Sequence, residues 1–516
     1  MPVHGRQKVP EGHGEVLCSP PFEEWEALAR ANSVMLGALP EALGALRAQA
    51  RLEAGEAGRS YSRSIGVTPA PAPRSDLIVM TGHQPDFYHP GVWVKDFLVQ
   101  RFADATGALG IDLVVDTDAA GDLELRTPCF EPEVRVCGIP LCDVDPGRAY
   151  VQVASPSKEQ RSVFREAVLS ALSTLPAPAL SRHFATFCDG LDAAAQTAGD
   201  VATLMTAARR VYERPAATDY LELPVSVQAR SRAFRRFASS LLLDAERFRE
   251  VYNAELASYR LRTGTRSAAQ PVPDLGRVDD RVECALWLLD DQGRSSVSVD
   301  ARNRLYARDR VVADLGDTVD AAVAALEHEG LLLAPKALAL TLFQRLFVAD
   351  LFVHGTGGAR YDRVTDGIIG AYYGCSAPAY AVASMTLLLP LGARVTSDEE
   401  VTTIEQRLSR LEHNPDEFLG EVEFDTPGEH DEAERLVREK AALVAAIESP
   451  GVDRKALGAR IRRANTELAA LLEPFVLETR AELRRLRAAR DSTEVLQDRS
   501  YPFCLYDPRE VMDKVR

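Results

Sequence analysis

The sequence predicts an α/β protein, with a parallel-sheet core, helical insertions and an antiparallel coiled-coil hairpin toward the C-terminus. Three observations carry this. Short apolar runs, "LIVMT" (77–81) and "IDLVVDTD" (111–118), flank a helix-length segment, the strand–helix–strand pattern of a buried parallel pair. From 398 to 490 the chain turns charged, Ala/Leu-rich and helically periodic. At 516 residues, finally, it exceeds what one hydrophobic core holds and should divide into two or three domains.

The spacing of Trp25, Leu28, Leu36, Leu39, Leu43 and Leu46 predicts a helical pair over 22–53, within an N-terminal helical segment (1–65). "GVTPAPAPRSD" (66–76) is Pro-rich and reads as an extended loop that opens the α/β core, 66–395. Strands are expected at 77–81 and 111–118 with a helix near 91–105 between them, then short strands around 133–138 and 148–153. A helical connecting region (about 156–265) should hold helices at 158–176, 190–213 and 231–262. "ECALWLLD" (283–290) and "SSVSVD" (295–300) flank Asp291-Gln292-Gly293-Arg294 and read as a hairpin. Helices near 337–352 and 360–373 should enclose a glycine loop, and "APAYAVASMTLLLP" (377–390) supplies a last buried strand.

In the hairpin (396–497), Val401, Ile404, Leu408 and Leu411 form one stripe, and Leu436, Leu443, Val444 and Ile447 a second. Leu457, Ile461, Ala464, Leu468, Leu471, Phe475 and Leu483 form a third. "SPGVD" (449–453) breaks the helix, with Asp453 as the next N-cap, and Pro474 should kink the last one. The aromatic tail, 498–516, should return to dock on the core.

A formal net charge of −16 argues against nucleic-acid or anionic-membrane partners. No apolar run approaches the roughly 20 residues of a membrane span, and the first residues lack a secretory apolar region, so a cytoplasmic location is expected. The eight cysteines form no C-x-x-C pair, so neither a zinc site nor a disulfide framework is expected, and no metal ligand is assigned.

Three clusters could carry chemistry. In "IVMTGHQPDFYHPGVWVKDF" (78–97) a strand ends at Thr81-Gly82 and hands over to a helix, whose free N–H groups suit an anion. His83 and His89 could stabilise negative charge there; Thr81, Gly82, Gln84, Gly91 and Lys95 complete the anion site. Equally, Gln84 and one histidine could simply cap the helix. In "VDTDAAGDLEL" (115–125), Asp118 and Asp122 lie past a strand's carboxyl end, where they could orient an amine, hydroxyls or Mg²⁺, or form a solvated loop. In "FVHGTGGARYDRVTD" (352–366), His354 precedes the glycine corner of Gly355, Gly357 and Gly358, with Arg360, Tyr361 and Asp362 following; Asp362 and Asp366 share a helix face. No Walker A frame is present.

"His89-Pro90-Gly91-Val92" resembles half of the His-x-Gly-His motif of nucleotidylyltransferases, with Val92 in the last place. More of the chain resembles the bacillithiol-biosynthesis cysteine-adding enzymes (the BshC family). "VMTGHQPDFYHPGVWVKDF" is similar to their Thr-Gly-x-Gln turn and Lys-bearing helix, and the acidic run at 115–125 takes the place of an Asp-His-Asp segment. "LAPKALALTLFQRLFVADLFVHGTGGARYDRV" is similar to a region ending in Gly-Pro-Gly-Glu. His83 stands where the family has Gln, Ala119-Ala120-Gly121-Asp122 where it has the Asp-His-Asp set, and Gly358 where it has Glu. The likeness spans roughly 75–490.

The resemblance implies a Rossmann-like core, a coiled coil able to form a homodimer, and a pocket joining an amino acid to a sugar-derived acceptor. It also implies a nucleotide site, for which ATP or ADP with Mg²⁺ are the candidate cofactors. A ligase or transferase with a diverged small-molecule substrate is therefore the leading reading. The alternatives are a non-catalytic nucleotide or sugar-phosphate binding protein assembling through its coiled coil, and a nucleotidylyltransferase-like enzyme.

Overall fold

The structure is a computed structural model that describes the chain apart from residues 1–7, 70–71, 131–133, 268–271, 392–396, 423, 425, 448, 450 and 451. Those gaps take in parts of the Pro-rich loop and of the "SPGVD" turn. The fold is mixed α/β, and the chain divides into two compact units. One comprises Met1–Cys129, Val136–Pro390 and Arg499–Arg516; the other Phe130–Arg135 and Leu391–Asp498.

The first unit is built on a six-stranded sheet of β1 (Val16–Ser19), β2 (Ile78–His83), β3 (Leu109–Val114), β4 (Leu221–Pro224), β5 (Leu351–His354) and β6 (Ala381–Met385). Its spatial order is β1-β6-β5-β2-β3-β4; β1 runs antiparallel to β6 and the other five strands are parallel. From β2 the chain builds outward through β3 to β4, then returns to place β5 and β6 on β2's other side. The winding therefore reverses between β2 and β5, where open α/β sheets leave a crevice at the strands' carboxyl ends.

Alternation along the strands sorts the two faces. Ile78, Met80, Ile111, Leu113, Leu221 and Leu223 point into one apolar core. Thr81, Asp112 and Glu222 stand in register across β2, β3 and β4, one side-chain position out of phase with that core. Among the helices around this sheet are α1 (Glu41–Ser64), α2 (Pro90–Thr106), α3 (Val201–Glu213) and α4 (Gly358–Ile368).

The hairpin at Asp290–Gly293 belongs to a second, antiparallel sheet that the sequence reading did not anticipate. Its strands Arg281–Asp290, Gly293–Val299, Arg304–Ala307 and Arg310–Asp314 form a meander, with Leu332–Pro335 on the far side of the first. Its apolar face, with Leu286, Leu288, Val297 and Leu305, shares the core under the parallel sheet.

Several expectations need correcting. Residues 148–153 form a 3₁₀ turn at Tyr150–Gln152 with a single bridge from Ala149 to Ala119, not a strand. The helix expected at 190–213 is two, Pro178–Ala194 and α3, because Asp200 caps Thr203 N and restarts the helix. That at 231–262 divides at Asp244. The helix expected to reach 352 stops earlier. After Ala337–Phe343 it widens into a π turn over Gln344–Val348, whose carbonyls are taken by α1: Arg47 donates to Leu346 O (3.1 Å) and Arg51 to Val348 O (2.7 Å). Leu351–His354 is then free to enter the sheet, so the glycine corner joins a strand to a helix rather than two helices. Cys129 and Cys137, expected to be thiols, are disulfide-bonded across the two-stranded ribbon Glu124–Phe130 and Val134–Pro140.

In the second unit the elements described within Leu391–Asp498 are helical, among them α5 (Asp398–His413), α6 (Pro427–Ile447), α7 (Arg454–Leu471) and α8 (Glu473–Leu496). α6 packs on α7 and α5 on α8, burying Leu411, Leu436, Leu468 and Leu472. Asp453 caps α7, accepting from Lys455 N and Ala456 N. Pro474 separates α7 from α8 at Leu472 instead of kinking one helix, since it lacks the N–H that would continue it. No helix among the described residues is long and apolar enough to cross a membrane.

Candidate functional site

The carboxyl ends of β5, β2 and β3 lie side by side, and they gather much of what the sequence singled out. Thr81 Oγ1 donates to Val353 O (3.0 Å), tying β2 to β5 and setting His354 beside Gly82. Beyond β2, Gln84 Nε2 donates to Asp118 Oδ2 (3.0 Å), past the end of β3; Asp118 Oδ1 is held by Arg294 at 2.7 Å.

His354 is 5% exposed and fixed by a chain of charges. Its Nε2 lies 2.7 Å from Asp362 Oδ2, and that oxygen also takes Arg345 Nη1 at 2.5 Å. Arg345 continues to Asp366 at 2.6 Å, so the two acids on one helix face clasp one buried guanidinium, stacked over Tyr380. Burial alone would raise Asp362; Arg345 and then His354 override it and hold the carboxyl well below the usual range. An ionised Asp362 accepts, so Nε2 carries the proton. With Nε2 donating to Asp362, Nδ1 is the ring nitrogen left for a ligand, and it lies on the side facing Gly358. Among the described residues nothing accepts from the amides of Thr356, Gly357 or Gly358, and α4 has no side-chain cap. Strand end, open amides at a helix N-terminus and an oriented imidazole thus meet at one corner.

The opening stretch behaves differently, because most of its polar groups turn inward. His89 is the N-cap of α2, its Nδ1 accepting from Gly91 N (3.0 Å); this is the capping role weighed for one histidine. Gly91 is buried, and a Cβ there would run into Arg499 and the Met385 carbonyl. Lys95 is buried, donates to Gly82 O (2.9 Å), and is lowered in pKa by that burial. The side chains of Asp122, Arg360 and Tyr361 are exposed and make no hydrogen bond or ion pair among the described residues.

His83 enters a buried ionic cluster between the sheet and helices α2 and α3. Its Nε2 is 3.2 Å from Asp96 Oδ2 and 3.3 Å from Asp112 Oδ2. Arg209, at the centre, reaches Asp96 (3.2 Å), Asp112 (2.9 Å), Glu213 (3.1 Å) and Glu222 (2.8 Å). Arg210 pairs with Glu213 at 2.8 Å, and Trp93 Nε1 donates to Glu213 at 2.7 Å. The cluster holds one more acid than the three cations Lys95, Arg209 and Arg210. Burial raises Asp96, with the Asp112 charge adding to it, and raises Glu222 well above its ordinary value. Glu213 goes the other way: burial would raise it, but Arg209 and Arg210 pull it down.

Sequence reasoning missed Asp96, Asp112, Arg209, Glu222 and Arg345. The signal was present as charges inside apolar runs: Asp112 in "IDLVV", Glu222 in "LEL", Arg345 in "LFQRLFV". A charge at the centre of a buried strand must find a partner.

Comparison with models of known protein families finds none that matches this chain, and comparison with curated proteins finds no match either.

Proposed function

We propose that this chain is an enzyme of the cysteine-adding ligase type, with a Rossmann-like core and a coiled-coil hairpin, joining an amino acid or similar small molecule to a sugar-derived acceptor. The observation that carries the reading is His354. It is held by Asp362 and Arg345 at the end of a parallel strand, with Nδ1 turned toward open amides at the sheet's reversal point.

In this reading an acceptor amine attacks the carbonyl carbon of an activated carboxyl group: the C–N bond forms, the bond from that carbon to the oxygen of the activating group breaks, that group leaves as its anion, and His354 Nδ1 takes the proton the amine loses. Asp362 fixes the tautomer, and Arg345 fixes Asp362. The amides of Thr356–Gly358 hold a carboxylate or phosphate and stabilise charge as it develops. Asp118 and Gln84, joined across the neighbouring strand ends, orient the second substrate. ATP with Mg²⁺ would supply carboxyl activation. The reading places the protein in the cytoplasm as a homodimer through the hairpin.

A second reading, a nucleotide or sugar-phosphate binder without turnover, is favoured by one observation: His83, His89 and Lys95 are all engaged by the protein itself. Incubation with ATP, amino acids and an amino-sugar acceptor, with mass-spectrometric detection of the conjugate, separates the two. Wild type should form product and His354→Asn should not, with nucleotide affinity retained. Binding without conjugate in either protein would favour the second reading.

A further inference from the structure

Beyond that edge, we propose that His83, Asp96 and Asp112 form a binding site for a divalent first-row metal ion, in the zinc or manganese class. These three donors, from β2, α2 and β3, are buried and lie within 4.8 Å of one another. Nothing in the ligase reading uses them.

The tautomer of His83 is the first argument. Nδ1 is 3.1 Å from the carbonyl of Gln84, which can only accept, so Nδ1 carries a proton. This Nδ1–H to carbonyl bond is how metal-ligating histidines are oriented. Nε2 then points its lone pair at two carboxylate oxygens, an arrangement that repels unless a cation or a second proton lies between. Distances are the second argument. A tetrahedral ion with bonds of about 2.0–2.1 Å sets its donors about 3.3–3.4 Å apart; Nε2 is 3.2 and 3.3 Å from the two aspartates.

Unpaired atoms are the third. Asp96 Oδ1 and Asp112 Oδ1 are fully buried and have no hydrogen-bond partner among the described residues; neither has the Tyr88 hydroxyl, whose ring is tilted against His83 with centroids 4.2 Å apart. Arg209 also touches Oδ2 of both aspartates, as carboxylate ligands are commonly held from behind. Beside His83 lies a cavity of about 10 Å³, lined by Asp86, Tyr88, Thr206, Arg209 and Phe503. That is about the room one water needs.

The test is uptake of Zn²⁺ or Co²⁺ by full-length protein stripped with chelator, read by elemental analysis, thermal unfolding and, for Co²⁺, the visible spectrum. One ion per chain, a raised Tm and a Co²⁺ band typical of low-coordinate N/O ligation are expected. His83→Ala and Asp96→Asn should each weaken Zn²⁺ binding at least about tenfold. Failure of wild type to take up either ion overturns the proposal, as does unchanged affinity in folded variants. If the variants do not fold, the wild-type Co²⁺ spectrum decides, and one resembling aqueous Co²⁺ overturns it. Loss of ligase activity plays no part in this test, so the two readings fail separately.

Discussion

A Cβ built on Gly358 would lie 3.2 Å from Nδ1 of His354, closer than a side chain tolerates without displacement. The glycine therefore keeps open the one face of the imidazole that Asp362 does not occupy. Gly358 begins α4, where alanine is conformationally ordinary. Gly358→Ala should leave stability unchanged or raise it by up to about 0.5–1 kcal/mol, while lowering turnover, or ligand affinity at this corner, roughly tenfold. Urea unfolding alongside conjugate formation measures both. An unaffected turnover would remove His354 Nδ1 from the chemistry.

Arg209 touches four carboxylates inside the protein. Arg209→Met should cost at least about 3–5 kcal/mol, because it leaves buried acids without compensation. The check is the urea midpoint at neutral pH, with far-UV dichroism to establish folding. A loss under about 1 kcal/mol would mean that the cluster takes up protons freely and holds little ionic energy.

Asp116 is buried beneath Ser226, whose amide donates at 2.9 Å and whose hydroxyl also donates to it. Burial pushes its pKa up to about 7 from an ordinary 3.8, against those hydrogen bonds. The folded state thus binds a proton more tightly than the unfolded chain. Its contribution is fully favourable below about pH 4 and declines as pH rises toward 7, by at most about 1.4 kcal/mol per pH unit. Asp116→Asn should flatten that part of the stability profile. Parallel profiles of wild type and variant across pH 4–7 would contradict the raised value.

In the helical unit Leu411 and Leu468 are fully buried, whereas Asp453 is exposed and acts only as a cap. Leu468→Ala should cost about 2–5 kcal/mol through the cavity it leaves, and Asp453→Ala about 1 kcal/mol. Chemical denaturation followed by dichroism ranks them. Equal costs would mean that the packed stripe contributes less than its burial implies.

Local rules read well where short-range physics decides. Strand β2, its following helix, the Asp453 cap and the apolar stripes, apart from Val444, which is exposed, come from periodicity, capping and turn chemistry, which act over a few residues. They failed at 337–352. A helical pattern there ends because Arg47 and Arg51, some three hundred positions away in sequence, take its last carbonyls. The antiparallel sheet was visible only as one hairpin, since its other pairings join strands whose short segments carry no register signal.

For the site, residue types singled out His354 and its glycine corner, but as a turn between two helices; only the fold puts them at a strand end. What composition and spacing determined by themselves was the mixed α/β character and the chemistry available at each turn. Tertiary structure alone decided which polar groups face a ligand and which face the interior. His83 and His354 are the same residue type, and each ends a parallel strand. They differ because His83, on β2, meets Asp112 and Asp96 whereas His354, on β5, meets Asp362, and the direction a side chain takes from a strand end depends on what has packed against that face.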